Sequence, residues 1–150
     1  MLRRLQNFTG KNIDAQTKAG AAMVKGMLVQ KNLATGTAIL PLSQEGLYFV
    51  DKDNQPMGLM AYEGEISEYD TRLVNIASGD PVQLEKPMSG ERYATDQYTA
   101  TGLSVGDYLI AVVAVGATQG FLIKNATATP FKYGGTVIEN GHTLAIVEVI

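Results

Sequence analysis

The sequence predicts an all-β fold: a compact β-barrel or sandwich of short strands, with a basic N-terminal arm that is extended or partly helical. Three observations predict it. Turn signals recur roughly every 8–12 residues, the spacing of all-β sandwiches and barrels. The stretches between them are short and rich in β-branched and aromatic residues, which fit a pleated surface better than a helix. The third is Val105-Gly-Asp-Tyr-Leu-Ile-Ala-Val-Val-Ala-Val115, closed by Gly116. Gly106-Asp107 is a turn signal, and the apolar run after it is expected to be a strand buried on both faces.

Residues 1–25 show no core pattern. A helix over Ile13–Met23 is possible, with Asp14 near its start, but its apolar face is mostly alanine and too small to anchor it. This stretch is expected to be an arm, either a disordered tail or a segment that orders on a partner. The β-domain is expected from Gly26 to Ile150. Met27-Leu-Val29, Thr37–Leu40 and Gly46–Val50 read as strands, with Pro41 ending the second. Asp51–Asn54 is a turn cluster, followed by Leu59–Tyr62 and an acidic loop, Gly64–Asp70. Val82-Gln-Leu-Glu85 alternates as a half-buried strand does. After the central run come Phe121–Ile123, Phe131–Tyr133 and the Gly134-Gly135 break. Glu139-Asn-Gly-His142 between two β-rich runs is a hairpin signal. Val112 and Ile146, within the two longest apolar runs, are expected to be buried.

At 150 residues the length fits one domain, and a chain of that size buries roughly 68–70% of its unfolded surface. Charged residues are sparse, at 18%, and there is no Cys. That excludes a disulfide scaffold, a thiolate zinc site and a cysteine nucleophile. Arg3 and Arg4 are followed by polar residues, unlike a secretory signal, and no run has the length of a membrane helix. Synthesis in the cytoplasm is therefore expected, without membrane association, and the Asn7 and Asn125 sequons read as chance. The net charge of −3 is unevenly distributed. Residues 1–31 carry six bases against Asp14 alone, and the remainder carries six bases against fourteen acids. The bases lack interleaved aromatics apart from Phe8, so the arm reads as docking on an acidic protein surface rather than on nucleic acid.

No catalytic constellation emerges, and the expectation is a protein that is not an enzyme and needs no cofactor or metal. His142 is the only histidine and falls in a hairpin turn. Asp51-Lys-Asp53 opens like a calcium loop, but Pro56 stands where glycine is needed and Tyr62 where the bidentate Glu belongs. Glu63, Glu65, Glu68 and Asp70 lack a ligand spacing and read as a solvated acidic loop. Glu65 and Glu91 make a conceivable acid–base pair, with no cleft implied. Gly134-Gly135 and Gly116–Gly120 lack the Lys and Ser/Thr of a phosphate loop.

Four segments carry a resemblance to a known family. Gly64-Glu-Ile-Ser-Glu-Tyr-Asp70, Ser89-Gly-Glu-Arg-Tyr-Ala-Thr-Asp-Gln97, Val105-Gly-Asp-Tyr-Leu109 and His142-Thr-Leu-Ala-Ile-Val-Glu-Val149 resemble capsid decoration (cement) proteins of tailed bacteriophages. The resemblance spans roughly residues 25–150, and its motifs are structural. It implies a compact β-domain, commonly a homotrimer, that binds the major capsid protein on the outside of an icosahedral shell and stabilises it. It places the protein on the virion surface after synthesis in the host cytoplasm. Proteins of that kind commonly lay terminal arms across neighbouring capsomers; taken with the charge split, this makes the basic arm the expected capsid anchor, through Arg3, Arg4, Phe8, Lys11, Lys18 and Lys25. The alternative from the residues alone is a soluble ligand-binding β-barrel module that takes a sugar or peptide.

Overall fold

The computed structural model describes residues 1–8, 14–51 and 71–150. In chain order the strands are Leu2–Gln6 (β1), Lys18–Ala19 (β2), Met23–Val24 (β3), Leu28–Asn32 (β4), Thr37–Ile39 (β5) and Leu47–Val50 (β6). A single helical turn, Thr71–Val74 (α1), leads into Asn75–Ile76 (β7), Leu84–Glu85 (β8), Arg92–Thr95 (β9), Tyr108–Ala111 (β10) and Leu122–Asn125 (β11). Phe131–Glu139 (β12) and His142–Val149 (β13) complete the chain. The expected all-β class is what the protein adopts.

The strands form two main sheets. One runs β1-β9-β13-β12-β10-β11, and the other β2-β5-β4-β6-β8. The β12–β13 hairpin turns at Asn140 and Gly141, with φ of 49° and 82°. Two successive positive φ values mark the tight turn whose twist suits a two-residue hairpin, and Asn-Gly tolerates them best. In the second sheet the pairing returns to its start. Asp14 and Leu84 exchange both backbone bonds, at 3.0 and 2.7 Å, the Val82 N–H donates to Thr17, and the Ala19 N–H donates to Asp80. With β2 already paired to β5, these bonds close the strands into a small barrel-like ring.

The inner faces supply the core. Phe49, Tyr93, Phe131, Leu28, Leu109, Leu122 and Val147 pack as one cluster. The Phe49 ring lies 4.8 Å from that of Tyr93 and 6.2 Å from that of Phe131, within the usual range for aromatic pairs. Met23, Met27, Val29, Ala38, Val50, Ile76 and Leu84 fill the second sheet. Gly26 is required where the layers meet. Its φ is 96°, and a Cβ there would lie 2.3 Å from the Met1 carbonyl oxygen.

Three sequence expectations are corrected. The first concerns the arm. Over its described residues, 1–25 is part of the body: β1 pairs with β9 along Leu2↔Thr95 to Gln6↔Arg92, and Met1 and Leu2 are buried. Burying two apolar side chains while pairing one sheet edge offsets the ordering entropy that was expected to keep the segment mobile. Two backbone bonds lie one on either side of the expected boundary at Lys25/Gly26. The Lys25 N–H donates to Val74 and that of Gly26 to Val50. Residues 14–24 are not helical, because their backbone groups bond to 79–84 and to β5 and β7 instead.

The second correction is the central run. The strand ends at Ala111, and Val112 is half-buried, while Val113 and Val115 are exposed. β10 meets β12 only at Tyr108 and Leu109, so beyond Leu109 the chain has strand β11 on one side alone, and the Gly120 N–H returns to Val112 in a loop. The third is Ile146, which is half-buried. In β13 the pleat sends Ala145, Val147 and Val149 into the core and Ile146 to the opposite face.

Candidate functional site

The most concentrated chemistry lies where β1 crosses toward β6 and β8. The Arg4 Nε donates to Glu85 Oε2 at 2.6 Å, and its guanidinium also pairs with Asp51. Asn7 Nδ2 donates to Glu85 Oε1 at 2.8 Å. The Tyr93 hydroxyl lies 3.0 Å from Glu85 Oε1 and 2.6 Å from Glu91 Oε2. Glu85, Glu91 and Tyr93 are all buried. Burial alone would raise the Glu85 carboxyl. The hydrogen bonds from Arg4, Asn7 and Tyr93, with the Arg4 charge, outweigh it and hold the group below the ordinary carboxylate range. Burial and the two neighbouring carboxylates push the Tyr93 phenol far upward, so it stays protonated as a donor.

Glu91 also accepts from two backbone amides, Met88 N–H at 2.8 Å and Phe8 N–H at 3.3 Å. It thereby braces the Met88–Glu91 turn that carries Gly90 and ties the chain after β1 to it. The network joins β1, β8 and β9 by charge-assisted hydrogen bonds, the stronger kind. Its chemistry is that of a staple.

Beside it, an open cleft of about 310 Å³ is lined by Leu2, Arg3, Arg4, Lys25, Asp51 and Gln83. Arg3 donates to Glu139 at 2.8 Å, and Lys25 is buried with its ammonium 4.0 Å from Asp51. A second open, polar cleft of about 580 Å³ lies along Asp14–Thr17, Lys31 and Gly36. There Lys31 pairs with Asp14, and Gln16 N–H and the Thr17 hydroxyl donate to it as well, which holds the Asp14 carboxyl well below the usual range.

The six residues singled out in the sequence do not converge. Arg3, Arg4 and Lys25 line the first cleft, and all three are engaged within the fold. Phe8 is exposed, with its ring edge packed over Gly90. Lys18 is exposed on β2 in the second sheet. Lys11 lies outside the described residues, as do Lys52 to Asp70 and with them most of the calcium-like loop and the acidic loop. Glu91 is buried in the staple, and Glu65 falls outside the described residues. Among the described residues no three His, Asp or Glu side chains are placed to hold a metal ion, and no helix is long and apolar enough to cross a membrane.

The staple itself was missed from sequence. Glu85 follows an alternating pattern that places it toward solvent, and nothing local reveals Arg4, which lies 81 positions away. The nearest signal was the mixture of aromatics and charges over Glu91–Tyr98, the composition of a buried polar network. No family model matches the chain, and neither the curated proteins nor the solved structures include a significant match.

Proposed function

We propose that this protein is a capsid decoration protein: a structural component that binds the outer surface of a tailed-phage head, through its major capsid protein, and stabilises the shell. The reading rests on the sequence resemblance. One structural observation gives it coherence. Of the four segments that carry it, the three that are described lie together in the six-stranded sheet. Ser89–Gln97 contains β9, His142–Val149 is β13, and the two are paired along Ala145↔Thr95 to Glu148↔Arg92. Val105–Leu109 forms the turn into β10 of the same sheet. Motifs far apart in sequence thus fall in one sheet, β9 beside β13 and β10 one strand further on across β12.

In this reading the N-terminal strand, not a mobile arm, presents the contact residues. The staple fixes β1 so that exposed Leu5 and Phe8 are displayed from a rigid edge, which lowers the ordering cost of docking. Copies assemble as a trimer, and the role requires no catalysis or cofactor. The test is co-sedimentation of the purified protein with expanded heads lacking it, followed by electron microscopy. Added density on the outside of the shell is the expected result. A protein that stays in the supernatant at saturating heads sinks the proposal, and titration of sugars or peptides into the Asp14–Lys31 cleft then addresses the ligand-binding alternative.

A further inference from the structure

We infer that Asn140-Gly141 is a site of spontaneous covalent modification, at which the Gly141 backbone nitrogen closes on the Asn140 side chain and converts it to aspartate or isoaspartate. The chain has seven asparagines, and Asn140 alone is followed by glycine. The residue after the asparagine governs this reaction, because its side chain shields the attacking nitrogen. Glycine has no Cβ to do so, whereas Asn7, Asn32 and Asn75 precede Phe, Leu and Ile.

The fold leaves this pair open to the reaction. Both residues are exposed, and among the described residues no hydrogen bond engages the Asn140 carboxamide or the Gly141 N–H. The other described asparagines are held. Asn7 donates to Glu85 at 2.8 Å, Asn32 accepts from the Ala34 N–H at 3.0 Å, Asn125 donates to the Thr127 carbonyl at 2.8 Å, and Asn75 lies in β7. The obstacle is the turn, which restrains the rotation about the Asn140 Cα–C bond that brings the Gly141 nitrogen onto Cγ. That restraint is weak here. β13 pairs with β9 from Ala145 to Glu148, and β10 meets β12 at Phe131 and Lys132. Beyond the register shift between Tyr133 and Thr136, residues 137–143 form a ribbon of two strands, with no third strand beside it among the described residues. Such a ribbon is marginal on its own, so the tip opens at far lower cost than the body. The ion pair of Arg3 with Glu139 that ties it to β1 is 31% and 33% exposed at its two partners and adds little restraint.

The chemistry needs only solvent. The Gly141 nitrogen loses its proton to hydroxide and attacks Asn140 Cγ. The new N–Cγ bond forms as Cγ–Nδ2 breaks, and the side-chain nitrogen leaves as ammonia after taking a proton from water. Water then opens the five-membered imide. Cleavage between the nitrogen and Cγ gives aspartate. Cleavage between the nitrogen and the main-chain carbonyl carbon gives isoaspartate, whose backbone runs through Cγ. Either product adds a negative charge next to Glu139, in competition for Arg3. Isoaspartate also lengthens the turn by one backbone carbon, which a two-residue hairpin loop does not accommodate. The charge and the turn geometry at this tip therefore change as the protein ages.

The inference does not rest on the capsid reading, because it is measured on the protein alone. The full chain is incubated at physiological temperature and pH beside a free peptide of residues 137–144, and samples are digested and analysed by mass spectrometry over time. Conversion appears as a gain of about one dalton at Asn140, and electron-transfer fragmentation separates isoaspartate from aspartate. The folded chain should convert at a rate within about thirtyfold of the peptide's, since opening of the tip is all that the fold imposes. Asn7, Asn32 and Asn125 should stay intact over the same period, and the rate at Asn140 should rise with pH as the attacking amide loses its proton. Asn140→Gln, in which closure needs a larger ring, should gain no mass in the fragment carrying position 140. Conversion of the folded chain slower than the thirtyfold limit overturns the inference. So does conversion at Asn125 that matches Asn140, or a gain that persists in Asn140→Gln.

Discussion

Arg4→Met tests what holds the N-terminal strand. The substitution keeps the length and most of the apolar stem while deleting the charge and the donors. It leaves Glu85, which is fully buried, without its cation. Removing one partner of a buried ion pair costs about 3–5 kcal/mol. Two features reduce that here. The Arg4 side chain is 37% exposed, so solvent already screens part of the attraction, and Glu85 retains its bonds from Asn7 and Tyr93. A cost of about 2–3 kcal/mol is the reasoned expectation. For a domain of this size that is a fall in Tm of roughly 4–12 °C.

The loss should also be local and dependent on pH. Hydrogen exchange should accelerate first at Leu2–Gln6 and in its partner β9, with β12 and β13 still protected. The folded Glu85 carboxyl is held below its ordinary value. Its contribution is therefore fully present above the unfolded pKa of about 4.3 and is lost as pH falls through the lower folded value. Wild-type stability should decline through that acid window, and Arg4→Met should flatten the decline. An Arg4→Met protein with wild-type Tm, wild-type exchange at β1 and an unchanged acid profile would show that the staple contributes nothing.

The other outcomes are more direct. Phe49→Ala, which removes a fully buried ring packed on Tyr93 and Phe131, should cost about 3–5 kcal/mol by denaturant unfolding; a midpoint shift equivalent to under about 1 kcal/mol would contradict the core assignment. Gly26→Ala should destabilise far more than Gly79→Ala. Both glycines have positive φ, but only at Gly26 does the new methyl group meet backbone, and equal thermal shifts in the two variants would refute the close approach. Val147→Ala should cost more than Ile146→Ala despite the smaller deletion, because Val147 is fully buried and Ile146 is not; the reverse order would mean that the pleat of β13 is inverted.

What the sequence made legible was whatever depends on neighbours in the chain. Asn140-Gly141 announced its hairpin because positive φ is a property of those two residues. The spacing of turns announced the all-β class for the same reason. Burial was less legible. A run of valines reports that a segment is apolar, not where its partners end, and only the pairing of β10 shows that β12 contributes nothing past Leu109. The arm was misread because its basic residues pair with acids far along the chain: Arg3 with Glu139 and Arg4 with Glu85 and Asp51. A charge split of +5 against −8 looked like a segment seeking an acidic partner. That inference from electrostatics was sound in kind, and the described bases of β1 find part of their acidic partner within the same molecule. The same argument sharpens the reading of Val113 and Val115. A local pattern of strong apolarity predicts burial, but the fold leaves both exposed, because the strand pairing of β10 ends at Leu109 on one side and at Ala111 on the other.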